Sequence, residues 1–178
     1  MAERKIIVNG GSDNAREMAS GDRYAHVRQT LFGGITDLVP AGTTEESLEI
    51  VEIPAGTLAA NKSRLIVEVM WSLSATANRR KLKVIFASTT FADFDTSDTL
   101  STAGHVRVVL TRESSTVIKA IASITIDGAL NGTSAQYTRL TGLDLAANNY
   151  DMLLSLRNYT TATDSYIRSY SIELAPAP

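Results

Sequence analysis

Residues 64–73, RLIVEVMWSL, place Leu65, Val67, Val69, Trp71 and Leu73 on one parity and Arg64, Glu68 and Ser72 on the other. A repeat of two is the geometry of an extended strand with one dry face and one wet face. Strands of that kind belong to antiparallel sheets that pack on one side and meet water on the other. The pattern returns along the chain. Leu82, Val84 and Phe86 alternate with Lys81 and Lys83, and Val106, Val108 and Leu110 alternate with His105, Arg107 and Thr111. Residues 116–126 align Ile118, Ala120, Ala122, Ile124 and Ile126. Residues 149–158 align Tyr150, Met152, Leu154 and Leu156, and residues 165–174 align Tyr166, Tyr170, Ile172 and Leu174. A further strand, 46–53, stops at Pro54-Ala55-Gly56.

Helix-length segments between these strands are missing, which argues against a parallel βαβ sheet. Roughly seven or eight strands separated by turn residues predict an all-β antiparallel β-sandwich, jelly-roll-like. Val, Ile, Thr and Tyr, frequent in the strands, suit a half-buried pleated surface. Trp71 is expected in the core, packed against the opposite sheet.

The alternation defines three regions. Residues 1–45 are weakly patterned and read as an N-terminal arm or edge segment. Within them Ile6-Ile7-Val8 suggests a short strand, Asn9 to Asn14 a turn, and 22–32 either a strand or a short helix capped by Ser20 or Asp22. Gly33-Gly34 and Pro40-Ala41-Gly42 read as punctuation. Residues 46–174 form the sandwich domain. The tail, 175–178, cannot make a regular ladder at its prolines and is expected to leave the sheet. A chain of 178 residues suits one domain with an arm. At this size roughly 70% of the unfolded surface can be buried without a covalent staple.

Composition removes several function classes. Without Cys there is no disulfide, thiolate nucleophile or Cys-based zinc site. Lys plus Arg number 17 and Asp plus Glu 19, giving a net charge of −2. The one basic cluster, Arg79-Arg80-Lys81-Lys83, reads as a solvated hairpin end, so no nucleic-acid partner is expected. No stretch approaches the ~18 apolar residues of a membrane span, so no membrane partner is expected either. The N-terminal apolar stretch is too short for a signal peptide, which predicts synthesis and folding in the cytosol.

The candidates for chemistry are few. His26 and His105 lack a nearby G-x-S-x-G elbow and read as surface or capping residues. Asp93-Phe94-Asp95-Thr96-Ser97-Asp98 spaces oxygens like the start of a calcium loop. It lacks the loop's Gly at the sixth position and Glu at the twelfth, so it reads as an acidic connecting loop. The N-x-S/T triplets at Asn61, Asn131 and Asn158 matter only in a secretory pathway. Gly10-Gly11 and Gly33-Gly34 are not followed by a phosphate-loop signature. Tyr150, Tyr159, Tyr166 and Tyr170 gather in the last third, as core-edge residues or, if exposed, as a stacking surface. No catalytic, cofactor-binding or metal-binding residue is therefore assigned, no cofactor is expected, and the chain reads as a non-enzyme.

The stretch Val51 to Phe86, VEIPAGTLAANKSRLIVEVMWSLSATANRRKLKVIF, resembles a pattern in structural proteins of tailed bacteriophages. Its parts are a strand ending in Ile53-Pro54-Ala55-Gly56-Thr57-Leu58, a loop through Ala60-Asn61, a strand carrying Trp71-Ser72, a turn through Ala77-Asn78 and a basic-apolar strand, Lys81 to Phe86. Tyr150–Arg157 resembles the same family's closing strands more loosely. The resemblance implies a virion β-sandwich, usually a homotrimer, in a decoration protein, tail appendage or fibre knob. It implies no catalytic residues. A short chain with an arm and no fibrous shaft favours a capsid decoration (cement) protein bound to the major capsid or tail proteins of a virion. The alternatives are a tail appendage or knob reading a cell-surface glycan through 91–103, 127–136 and the late tyrosines, and a carbohydrate-binding module.

Overall fold

A computed structural model describes residues 7–10, 14–17, 29–58, 60–74, 76–97, 102–126 and 133–175. Twelve strands occur among them: β1 (Ile7–Gly10), β2 (Asn14–Glu17), β3 (Gln29–Gly34), β4 (Glu46–Ile53), β5 (Arg64–Leu73) and β6 (Arg80–Phe86), then β7 (Thr89–Thr96), β8 (Ala103–Ser114), β9 (Val117–Ile126), β10 (Thr133–Thr141), β11 (Tyr150–Asn158) and β12 (Ser165–Ala175). One sheet runs β10-β9-β8-β5-β12-β3 and a second runs β4-β11-β6-β7. The hairpin β1–β2 forms a two-stranded sheet of its own.

The pairing is nested. β3 pairs with β12 and β4 with β11, while β5 pairs with β8 and β6 with β7, all antiparallel. The chain is thus a long hairpin rolled up so that successive pairs fall alternately in one sheet and the other. That is the double Greek key of a jelly roll. The hairpin β9–β10 extends the larger sheet beyond β8.

The sheets meet through their dry faces. Leu65, Val67, Val69 and Trp71 of β5 face one core with Leu82, Val84 and Phe86 of β6 and Met152, Leu154 and Leu156 of β11. Val106, Val108 and Leu110 of β8 and Ile118, Ala120 and Ala122 of β9 complete it. Each fully buried aliphatic or aromatic side chain of this kind contributes about 1.5–3 kcal/mol. Trp71 is 1% exposed. Its strand partner is Gly104, and a Cβ at that position would sit in ordinary contact with the indole, 3.5 Å away.

The structure changes several readings. Thr89–Thr96 is a strand, so the Asp93–Asp98 segment is a connecting loop only after Thr96. Alternation fails there because a bulge opposite Val84 and Ile85 buries the adjacent pair Phe91 and Ala92. Thr133–Thr141 is likewise a strand, at the edge of the larger sheet. Gly33 and Gly34 are the last two residues of β3, and the Tyr170 ring occupies the space a side chain at Gly34 would need. In β12 a bulge at Arg168 shifts the parity, so Ile167 is buried with Ser165 and Tyr166 leaves the inward face. Arg80 is not part of a solvated hairpin end. It occupies the inward parity of β6, is fully buried, and donates to the carbonyls of Ser74 and Thr76. His26, Asp98, Asn131 and the prolines of the tail lie outside the described residues.

Two predictions follow from local geometry. The β6–β7 turn holds Ala87 and Ser88 at φ 48° and 60°, the primed turn that a tight hairpin needs, in non-glycine residues. Left-handed backbone costs such residues roughly 1 kcal/mol. Ser88→Gly should therefore raise the urea midpoint, by about 0.5–1 kcal/mol in stability. Arg80→Ala strips the half-buried carbonyls of Ser74 and Thr76 of their donor and empties a fully buried position, and should cost roughly 2–4 kcal/mol in the same assay, with little change in denaturant slope.

Candidate interaction surfaces

Apolar side chains of both sheets pack into one core among the described residues, and the outer sheet faces, the sheet edges and the ends of the roll are the candidate surfaces for function. Among the described residues no group of three or more His, Asp or Glu could hold a metal ion. His105 stands on the outer face of β8 beside Met70 and Thr125. Asp93 and Asp95 are engaged across the β6–β7 ladder. Lys81 Nζ lies 2.8 Å from Asp93, and Arg79 forks onto Asp95 at 2.6–3.0 Å.

The register places rows of side chains across the outer face of the larger sheet. One row runs Ile66, Val109, Ile121 and Tyr137 over four strands. Ile66 is covered by its neighbours, whereas Ile121 is 58% and Tyr137 62% exposed. Charged rows flank this stripe. On one side Arg107 pairs with Glu68 at 3.2 Å. On the other, Glu113 accepts from Lys119 at 2.6 Å and Arg139 at 3.3 Å. The hydrogen bond from Lys119 is the main cause that holds the Glu113 carboxyl below its ordinary range. An exposed apolar stripe rimmed by charge is the composition of a protein–protein contact.

The two lateral sides of the sandwich differ. On the β7–β10 side the Gln136 amide bridges the sheets. Its Oε1 accepts from the Asp93 backbone N–H at 2.9 Å and its Nε2 donates to the Asp93 carbonyl at 2.6 Å. One side chain thus fills the place of a strand residue against the β7 edge. On the opposite side, edge strands β3 and β4 part to leave a groove of about 620 Å³. Leu31, Phe32, Val51 and Pro54 give it apolar walls, and Glu49, Ile50 and Glu52 follow β4 along it. Tyr170 lies at its base, with the phenol hydrogen-bonded to the Glu49 carboxylate.

The late tyrosines do not form one surface. Two guanidinium groups, of Arg79 and Arg157, lie over the Tyr159 ring at 4.5 and 4.2 Å. The Tyr150 hydroxyl accepts from the Asp144 N–H at 2.7 Å, and the Tyr166 hydroxyl accepts from Arg168 at 2.9 Å. Asn158, one of the N-x-S/T asparagines, is fully buried. Its amide donates to the carbonyls of Ala162 and Ser165 and its oxygen accepts from the Ser165 hydroxyl. Beside it Asp164 accepts from Asn78 at 3.0 Å and from the Thr161 N–H at 3.0 Å, which locks the β11–β12 turn against the β5–β6 turn. Sequence reasoning missed the Gln136 bridge and the groove. Both depend on strands far apart in the chain, and only the exposed Tyr137 next to Gln136 hints at an unusual edge.

No protein-family model matches this chain. No curated protein matches it either. Among solved structures, one similarity is to the structure of infectious bursal disease virus, Gt strain. It is 15% identical, covers 98% of this chain and 47% of that chain, and has a TM-score of 0.28. This chain therefore spans about half the length of that one. The fold assignment rests on the strand order, independently of this similarity.

The groove generates a pH prediction. Burial first, and then the hydrogen bond to Glu49, push the Tyr170 phenol up to about 12. In the unfolded chain it ionises near 10. The stability linked to that proton is complete below pH ~10 and is lost as pH rises from ~10 through ~12. Urea midpoints taken at intervals between about pH 9 and 12 should fall less steeply for Tyr170→Phe than for the unaltered chain. Identical slopes would show that the phenol is free of the groove.

Proposed function

We propose that this chain is a non-enzymatic structural protein of a bacteriophage virion, acting foremost as a capsid decoration protein and assembling as a homotrimer. The nested strand order carries this reading. Jelly rolls of this order build viral capsid and lectin domains, and cupins. Here the described residues of both sheets pack into one apolar core, which favours the outside of the roll as the working surface. The resemblance of Val51–Phe86 to tailed-phage structural proteins selects the virion among these uses.

The mechanism is stabilisation by mass action. A protein that binds the assembled lattice and not its free subunits lowers the free energy of the lattice. Threefold closure multiplies each weak contact through avidity. The stripe through Ile121 and Tyr137 is the surface offered to the neighbouring protein. Glycan recognition by the late tyrosines is less well supported. Tyr159 lies beneath two guanidinium groups, and the hydroxyls of Tyr150, Tyr166 and Tyr170 are engaged within the chain.

Particles produced from the genome that encodes this chain provide the test. The chain is expected to co-sediment with them, and light scattering of the purified protein should give three copies per assembly. Ile121→Asp should reduce particle binding at least tenfold while leaving the melting temperature within a few degrees, because Ile121 is largely exposed. Absence of the chain from purified particles would overturn the reading.

A further inference from the structure

We propose that the groove between β3 and β4 is the acceptor for the β1–β2 hairpin of a second copy of this chain, which adds β1 as a strand along the free edge of β4. Three observations on different parts of the molecule lead here. First, among the described residues β4 pairs only with β11, so its other edge faces the apolar groove without a described strand partner. Proteins blunt such edges, and the opposite side of this sandwich is blunted by Gln136. Second, β1 and β2 bond only to each other among the described strands. A lone two-stranded hairpin is marginal in water and gains stability by joining a third strand. Third, the chemistry matches. The segment Arg4-Lys5-Ile6-Ile7-Val8 carries two cations and then three β-branched residues, while the groove has apolar walls and the carboxylates of Glu49 and Glu52.

Strand addition fixes how such a match is used. Backbone hydrogen bonds supply the attachment, and alternate side chains supply the selectivity. With β1 added to β4, the groove residues Leu31, Ile50 and Val51 would lie along the new strand. The donor hairpin precedes the acceptor groove in the same chain, and between Glu17 and Gln29 there is enough backbone to span roughly 40 Å when extended. A neighbouring molecule is therefore within reach. The inference deepens the self-association of the proposed function and does not require the particle.

The cysteine-free sequence makes the test direct. Full-length Val8→Cys and Glu52→Cys chains, co-expressed and treated with a short bis-maleimide, should give a covalent dimer that neither variant gives alone. In the full-length chain, Ile7→Asp should lower the mass seen by light scattering to that of a monomer without shifting Trp71 fluorescence. The proposal is overturned if no mixed dimer forms, if a bond forms only when both cysteines sit in one chain, or if Ile7→Asp keeps the full assembly mass. Co-sedimentation of the same variants separates the two readings. Crosslinking without particle association supports the exchange and removes the virion role. Particle association without crosslinking removes the exchange alone.

Discussion

A strand that is dry on one face cannot exist alone, and that requirement organises this molecule. The long strands carry their apolar residues largely on one parity, with bulges interrupting it in β7 and β12, so each sheet needs a second sheet laid against it. The nested pairing meets the need with one continuous chain, because every turn around the roll delivers one strand to each layer. The core residues of β5, β6, β8 and β11 are then neighbours across the layers although they are distant in sequence. At one end of the roll, the buried side chains of Arg80, Asn158 and Asp164 satisfy the backbone and side chains of the turns. The polar network thus closes the roll at one end without entering the apolar layer.

The same requirement explains what was legible in the sequence. Where parity was unbroken, as in 64–73 and 105–112, the strand and its inward face could be read directly. Where a bulge intervened, parity misled. Arg168 moves β12 by one residue, so Tyr166 looked like a companion of Tyr170 while Ile167 is the buried residue. β7 was obscured in two ways, by the adjacent buried pair Phe91 and Ala92 and by two aspartates that resembled ligands but pair with Lys81 on β6 and with Arg79 just before it. The turn joining β6 to β7 gave no signal, because it uses Ala87 and Ser88 where Asn-Gly would have announced it. β10 is an edge strand rich in Thr, and its polar sequence reads as loop.

The surfaces were the least legible part, since each is assembled across several strands. The stripe of Ile66, Val109, Ile121 and Tyr137 takes one residue from each of four strands and exists only in the observed register. The groove depends on β3 and β4 sitting at the rims of different sheets. Nothing within either strand marks it, although Gly34 yields its side-chain space to Tyr170, which forms the groove's base.

The pairing of β3 with β12 has a mechanical meaning. Gln29, where β3 begins, lies opposite Leu174, near where β12 ends. A pull that separates those two points loads the ladder between β3 and β12 one rung at a time, the geometry of a zipper. Tension between the entry and exit of the domain would peel β3 away at low force and expose the β12 edge while the inner pairs stayed closed. A molecule built this way withstands load well when it is held through the faces of its sheets and poorly when it is strung end to end.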